Sequence, residues 1–174
     1  LLIKLFPTPQ SVRIVTTNFD SHLSTSLAEL YSNVDVKEYY APALPLGNDF
    51  NGIVYLHGAV EDDPQRCVLT DEDFGKAYLT ESWASRFLCS LFTKYTVLFV
   101  GYSHDDIVMK YLARGLPPTK KPRYVLVAED PNSSKNWGLM AITPILYKKT
   151  DTENKHQNLT DSFAALVKEV KSGL

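Results

Sequence analysis

Short β-branched and apolar runs alternate along the chain with stretches of helical periodicity. Residues 12–17 form a β-branched run that reads as a buried strand. Asp20 or Ser21 can cap a helix in which Leu23, Leu27, Leu30 and Tyr31 recur at helical spacing. Pro42, Pro45, Gly47 and Asn48 mark a loop. A second apolar run over 52–56 ends at His57-Gly58, and Glu61-Asp62-Asp63-Pro64 is a turn. From Asp71 the pattern is helical, with Trp83, Phe87, Leu88, Leu91 and Phe92 forming an apolar stripe. Residues 96–100 read as a strand ending at Gly101. Asp105-Asp106 can cap a further helix carrying Ile107, Val108, Tyr111 and Leu112, which Gly115, Pro117 and Pro118 stop. Residues 124–128 and 142–147 read as two more strands. The last helix carries Leu159, Phe163, Leu166, Val167 and Val170 on one face, and 117–122 and 150–158 are surface connections. Continuously apolar strands alternating with helices predict an α/β fold, a parallel sheet with helices on both faces.

Composition narrows the picture. A chain of 174 residues, 44% hydrophobic and 22% charged, is globular and of single-domain length. A net charge of -2 argues against direct nucleic-acid binding, which needs a basic excess. The longest clean apolar run, Val97-Leu98-Phe99-Val100, is strand-sized, so no membrane span is expected. Cys67 and Cys89 cannot build a four-cysteine zinc site, and two cysteines fit a reducing, cytoplasmic setting. The chain opens Leu1-Leu2-Ile3-Lys4, with neither Met nor signal-peptide pattern, as expected of a start inside a longer protein.

Ligands of open α/β sheets bind beyond the carboxyl ends of the strands. Three such ends carry unusual polar groups: Thr16-Thr17-Asn18-Phe19-Asp20, His57-Gly58, and Gly101-Tyr102-Ser103-His104-Asp105-Asp106. Each has a plain structural reading. Asn18 and Asp20 can end a strand and cap a helix. A single histidine specifies no chemistry. Gly101 to Asp106 makes a serviceable strand-to-helix turn. Asp71-Glu72-Asp73 is a solvated helix start favoured by the helix dipole, and the two cysteines are ordinary thiols.

The ordered set, Thr-Thr-Asn-Phe-Asp, then Leu-His-Gly, then Phe-Val-Gly-Tyr-Ser, resembles the Sir2 family. The matching family segments are Thr-Gln-Asn-Ile-Asp, His-Gly and Gly-Thr-Ser. Residues 71–116, with Asp73-Phe74, Tyr78-Leu79 and Gly101-Tyr102-Ser103-His104-Asp105-Asp106, look closer to its bacterial branch of NAD-consuming effectors, many in antiphage defence. The strand within 139–147, His156 and the last helix are similar to that branch too.

The resemblance implies a Rossmann-like fold and cleavage of the nicotinamide–ribose bond of NAD. It implies that Asn18 positions water beside the nicotinamide ribose, an amide being both donor and acceptor. Asp20 would contact the nicotinamide carboxamide, and His57 would act as general base on a ribose hydroxyl. Gly101, Tyr102 and Ser103 would form the turn approaching the dinucleotide, where the glycine permits close contact and the hydroxyl bonds phosphate or ribose. Thr17 stands where the family has glutamine. Glu129, just past a strand, would accept from the adenosine ribose hydroxyls.

Two departures shape the expectation. The deacylases of the family carry a four-cysteine zinc module between His-Gly and Gly-Thr-Ser, which Cys67 and Cys89 alone cannot form, so no zinc is expected. The family's opening Gly-Ala-Gly-x-Ser segment is also missing: no two of the eight glycines lie close enough. The expected protein is therefore a partial domain, lacking the N-terminal glycine-rich strand-helix unit. It would hydrolyse NAD to nicotinamide and ADP-ribose within a bacterial antiphage effector, with homo-oligomerisation and a C-terminal sensor domain as family expectations. Two alternatives stay open: a module that senses NAD or ADP-ribose without turnover, and a diverged NAD-dependent protein deacylase.

Overall fold

The computed structural model of the protein describes residues 1–31, 34–102, 121–129, 137–151 and 154–173. The expected helix after Asp105-Asp106 lies outside these residues, as does Ser103. The chain forms two compact units, Leu2–Leu91 and Phe92–Leu174, the latter grouped with Leu1.

The first unit is built on a three-stranded sheet. Its strands are β1 (Arg13–Thr16), β2 (Glu38–Tyr40) and β3 (Gly52–Tyr55), in the order β1-β3-β2. Both pairings are parallel, with Ile14 beside Ile53 and Tyr39 beside Val54. Every residue of central β3 is buried, so its run Gly-Ile-Val-Tyr has no polar face. Helix α1 (His22–Leu30) buries Leu27. Leu27 joins Ile3, Val12, Ile53, Tyr55 and Ala59 in the core beneath the sheet.

The region after Asp71 is helical as expected, but not one helix. A short α2 (Asp71–Gly75) runs into a π-helical turn over Lys76–Thr80, and α3 comes next at Trp83–Lys94. Thr70 starts α2 by a capping box: its hydroxyl accepts the Asp73 N–H at 3.2 Å while its own N–H donates to the Asp73 carboxylate at 2.9 Å. The π turn is closed by the Glu81 N–H donating to the Lys76 carbonyl, five residues back, at 3.0 Å. Ser82, at φ 59, then breaks the run. Helix α3 packs on the loop before β3: Phe50 meets Phe87 at 5.7 Å between ring centres, and a Cβ on Gly47 would lie 2.1 Å from the Phe87 carbonyl oxygen.

The second unit carries β4 (Val97–Val100), β5 (Arg123–Ala128) and β6 (Thr143–Tyr147), in that order and all parallel. Phe99, Val125, Trp137 and Ile142 are buried, as are Phe163 and Val167 of helix α4 (Gln157–Ser172). Leu166, expected on the buried face of that helix, is 42% exposed, so the apolar stripe is narrower than its sequence implied. Arg123, buried at the start of β5, sets its guanidinium 5.3 Å from the centre of the Phe92 ring. Burial lowers its pKa below the ordinary arginine value. Among the described residues every strand pairing is parallel, and these sheets with helices make this the α/β, Rossmann-like fold that the strand pattern and the resemblance implied.

Candidate active site

Strands β1 and β3 are parallel neighbours, so the segments leaving their carboxyl ends emerge at the same sheet edge. The last rung pairs Thr16 with Tyr55, and the Leu56 N–H donates to the Thr16 carbonyl at 2.9 Å. Immediately beyond lie Thr17 to Asp20 on one side and His57 to Val60 on the other. The Val60 N–H donates to the Phe19 carbonyl at 3.0 Å, which ties the two loops together.

Within the first loop, Thr17 is half-buried and Asn18 exposed. The Asn18 N–H donates to the buried Thr16 hydroxyl at 3.1 Å. Asp20 is half-buried, and its Oδ1 accepts the His22 N–H at 3.1 Å at the start of α1. Its carboxylate therefore satisfies one of the N–H groups that a helix start leaves without an intrahelical partner.

His57 is buried, only 3% exposed. Its carbonyl accepts the Val68 N–H at 2.9 Å, and its Nε2 lies 2.8 Å from the Tyr78 hydroxyl. Phe74 meets the imidazole edge-on at 5.2 Å, and the Phe74 and Tyr78 rings stack nearly parallel at 5.9 Å. Gly58 turns the chain at φ +84, where a Cβ would come within 3.2 Å of the Arg66 carbonyl oxygen and the Cys67 Cα. Only glycine suits both the conformation and the close approach.

The remaining sequence candidates belong to the second unit. Gly101 succeeds β4 at φ +81, and half-buried Tyr102 sets its ring edge-on to Phe99 at 5.9 Å. Glu129 lies just past β5, is exposed, and donates its N–H to the Tyr147 carbonyl at 2.9 Å. The structure thus joins Thr17, Asn18, Asp20 and His57 on one edge of the first sheet, while Gly101, Tyr102 and Glu129 lie at strand ends of the other.

A cavity of about 50 Å³ lies at the opposite, amino-terminal end of the first sheet, against Pro9, Lys37 and Gly52. It is far below the several hundred Å³ that a bound small molecule occupies, and it carries none of the polar groups above. Among the described residues no cluster of three His, Cys, Asp or Glu is placed to hold a metal ion, and no helix is long and apolar enough to cross a membrane.

Residues 12–145 match the profile of the SIR2-like domain family. The chain belongs to that family. This SIR2-like domain is 32% identical over 153 residues to the uncharacterized protein y4cA of Sinorhizobium fredii, covering 77% of this chain and 13% of that protein. It is 36% identical over 95 residues to the NAD(+) hydrolase ThsA of Enterococcus faecium, covering 52% of this chain and 19% of that enzyme. It therefore corresponds to a small part of each relative's length.

Chemically, the edge of the first sheet offers an exposed amide, a carboxylate anchored at a helix start, and an imidazole gripped by a phenol. Sequence reasoning identified the first three of these side chains. It touched Tyr78 and Phe74 only through resemblance. Their signal, an aromatic pair four residues apart behind a capping threonine, marks a shared helix face but not the histidine it meets.

Proposed function

We propose that this SIR2-like domain hydrolyses NAD⁺ at the nicotinamide–ribose bond, giving nicotinamide and ADP-ribose. The observation that carries the reading is the hydrogen-bonded pair of loops at one sheet edge. It brings the Asn18–Asp20 segment beside the His57–Gly58 segment, in the order and at the strand ends that the family pattern requires. Family membership and the likeness to an NAD(+) hydrolase support it.

In this reading the bond to nicotinamide breaks through an oxocarbenium-like state. Asn18 orients the attacking water, since an amide both donates and accepts. Asp20 accepts from the nicotinamide carboxamide and orients the leaving group. His57 acts as general base on a ribose hydroxyl, whose oxygen takes a proton from the water as that water adds to the ribose carbon, so the one proton that hydrolysis releases ends on His57. The assignment of Thr17, Gly101, Tyr102, Ser103 and Glu129 to the dinucleotide rests on the resemblance of their segments. Binding needs no zinc in this scheme.

The biological setting rests on the same resemblance. We assign the activity to a cytoplasmic antiphage effector that depletes NAD, working in a homo-oligomer and governed by a C-terminal sensor domain. Phage challenge of cells carrying the whole gene, with NAD measured through infection, tests that assignment.

The chemical test is NAD consumption with chromatography of nicotinamide and ADP-ribose, on the wild type and the His57→Ala variant. Turnover that falls by about 10²-fold or more in the variant, with the fold intact, supports the hydrolase. NAD binding without turnover in the wild type identifies a sensor module instead.

A further inference from the structure

We propose that Tyr55 is a positioning residue for Asp20: through its bond to Ser24, the Tyr55 hydroxyl fixes the start of α1 on the strand that leads to His57, and so sets where the Asp20 carboxylate stands. The inference rests on the reading of Asp20 as the group that meets the nicotinamide carboxamide, and it adds a residue that the three sequence motifs do not contain.

Helix α1 has a narrow footing on the sheet. Leu27 is its one buried residue, and Leu23 and Ser24 are half-buried. Apolar contact is non-directional, so it holds a helix down without fixing its rotation about its own axis. A hydrogen bond has a preferred direction and does fix it. The Ser24 hydroxyl bonds the Tyr55 hydroxyl at the end of β3. Either oxygen can donate, and the two residues are joined in both cases. Ser24 shares the first turn of α1 with the bonds that hold the Asp20 segment. The His22 N–H donates to the Asp20 carboxylate at 3.1 Å, and the Thr25 N–H donates to the Ser21 carbonyl at 2.9 Å. A helix that cannot roll keeps that turn, and the carboxylate bonded to it, in one place.

Tyr55 is itself held firmly. It is 1% exposed, and its ring stacks on Tyr40 at 5.0 Å with 12° between planes. The Tyr40 hydroxyl donates in turn to the Glu38 carboxylate. The Tyr55 carbonyl accepts the Ala41 N–H at 3.2 Å and the Gly58 N–H at 3.1 Å. The main chain of Tyr55 thus closes the turn through Leu56 and His57, while its side chain reaches α1. One residue therefore ties the start of the helix after Asp20 to the turn that bears His57. A buried phenol needs a partner for its hydroxyl, and Ser24 meets that need.

Tyr55→Phe keeps the ring, its stack and its burial, and removes only the hydroxyl. Two double-variant cycles read the consequence. The first needs no substrate. Urea unfolding is measured for the wild type, Asp20→Ala, Tyr55→Phe and the two combined. Asp20→Ala is expected to lower the folding equilibrium constant about tenfold in the wild type and less than about threefold in the Tyr55→Phe background, because the Asp20 bond to His22 is already weakened once α1 can roll. The second cycle measures NAD hydrolysis. Tyr55→Phe is expected to raise KM for NAD about threefold or more with kcat within about twofold, and to change KM by less than about twofold in the Asp20→Asn background. A role in stability alone would leave KM unmoved, or move it equally in both backgrounds. Ser24→Ala removes the same bond from the other side, and carries both cycles if Tyr55→Phe does not fold.

Equal costs of Asp20→Ala in the two backgrounds overturn the proposal. So does an unchanged KM in a Tyr55→Phe protein that turns NAD over. If the first cycle shows the coupling while the wild type does not hydrolyse NAD, the positioning contact is upheld and the hydrolase reading fails.

Discussion

Replacing Gly52 by alanine places a Cβ 2.0 Å from the Lys37 carbonyl oxygen and 2.9 Å from the carbon that bears it. Both are backbone atoms, so no side chain can swing aside. The same oxygen accepts the Ile53 N–H at 3.0 Å, and the Gly52 N–H donates to the Val12 carbonyl at 2.7 Å. Gly52 thus sits at the entry of β3 with backbone pressed on it from both neighbouring strands. Its φ of +117 is a conformation that residues with a Cβ rarely adopt. Two costs add. Holding that backbone geometry with a Cβ costs about 1–3 kcal/mol. Pushing Lys37 away breaks its bond to Ile53 and costs about 1 kcal/mol more. The sum is about 2–4 kcal/mol, which in a chain of this length lowers Tm by roughly 5–15 °C. Circular dichroism through a thermal scan, with urea unfolding beside it, measures the loss. Gly75→Ala is the matched control: it sits in a helix at φ -57 with nothing within 4 Å of an added Cβ. It should stabilise by about 0.5–1 kcal/mol. A Gly52→Ala protein as stable as the wild type to within about 0.5 kcal/mol would refute the reasoning from close approach.

Two further predictions separate structural from chemical roles. Asp20→Ala removes the acceptor of the His22 N–H and should cost about 0.5–2 kcal/mol of stability, whereas Asp20→Asn keeps an equivalent cap and should melt as the wild type does. If the carboxylate also binds nicotinamide, Asp20→Asn should raise KM for NAD about tenfold, the worth of one charge-assisted hydrogen bond. An unchanged KM leaves Asp20 as a cap alone. The Asp73 carboxyl is held below the usual carboxylate range, first by the Thr70 N–H, then by the Thr70 hydroxyl and the Leu69 N–H. Its folded pKa is thus below the unfolded value of about 3.9. The stability it contributes is complete above that value and is lost as pH falls through the folded one. Asp73→Ala should therefore melt below the wild type at pH 7, with the gap narrowing below about pH 4. A gap of constant size down to pH 2.5 would contradict the assignment.

The strands that the sequence revealed carry uninterrupted apolar or β-branched runs, wholly buried in β3 and largely exposed in β6. β3 is wholly buried, and its uninterrupted apolar run admits no other placement. β2 was not legible. It has three residues, its Glu38 is exposed, and its tyrosines are only half-buried, as an edge position allows. The break between α2 and α3 was equally silent, because Ser82 adopts a positive φ without glycine to announce it. At the site, strand ends located Asn18, Asp20 and His57, since parallel topology sends such residues to one edge whatever their roles. The contact of Tyr78 with His57 spans 21 positions, and no local pattern encodes it.

The plain and the chemical readings of the Asn18–Asp20 loop do not compete. Three bonds fix its course: the Asn18 N–H to Thr16, the Val60 N–H to the Phe19 carbonyl, and the His22 N–H to Asp20. The first two use only the main chain of the loop, and the third uses one carboxylate oxygen of Asp20. A carboxylate accepts at about four lone-pair positions, so one cap leaves most of that capacity for a ligand. The same cap removes much of the rotational freedom of the carboxylate and aims it, which is what binding a planar amide requires. Asn18 stays exposed at the sheet edge because the backbone, not its amide, carries the loop. Strand end and helix start are therefore the means by which this edge leaves the Asn18 amide exposed and aims the Asp20 carboxylate beside the loop that bears His57.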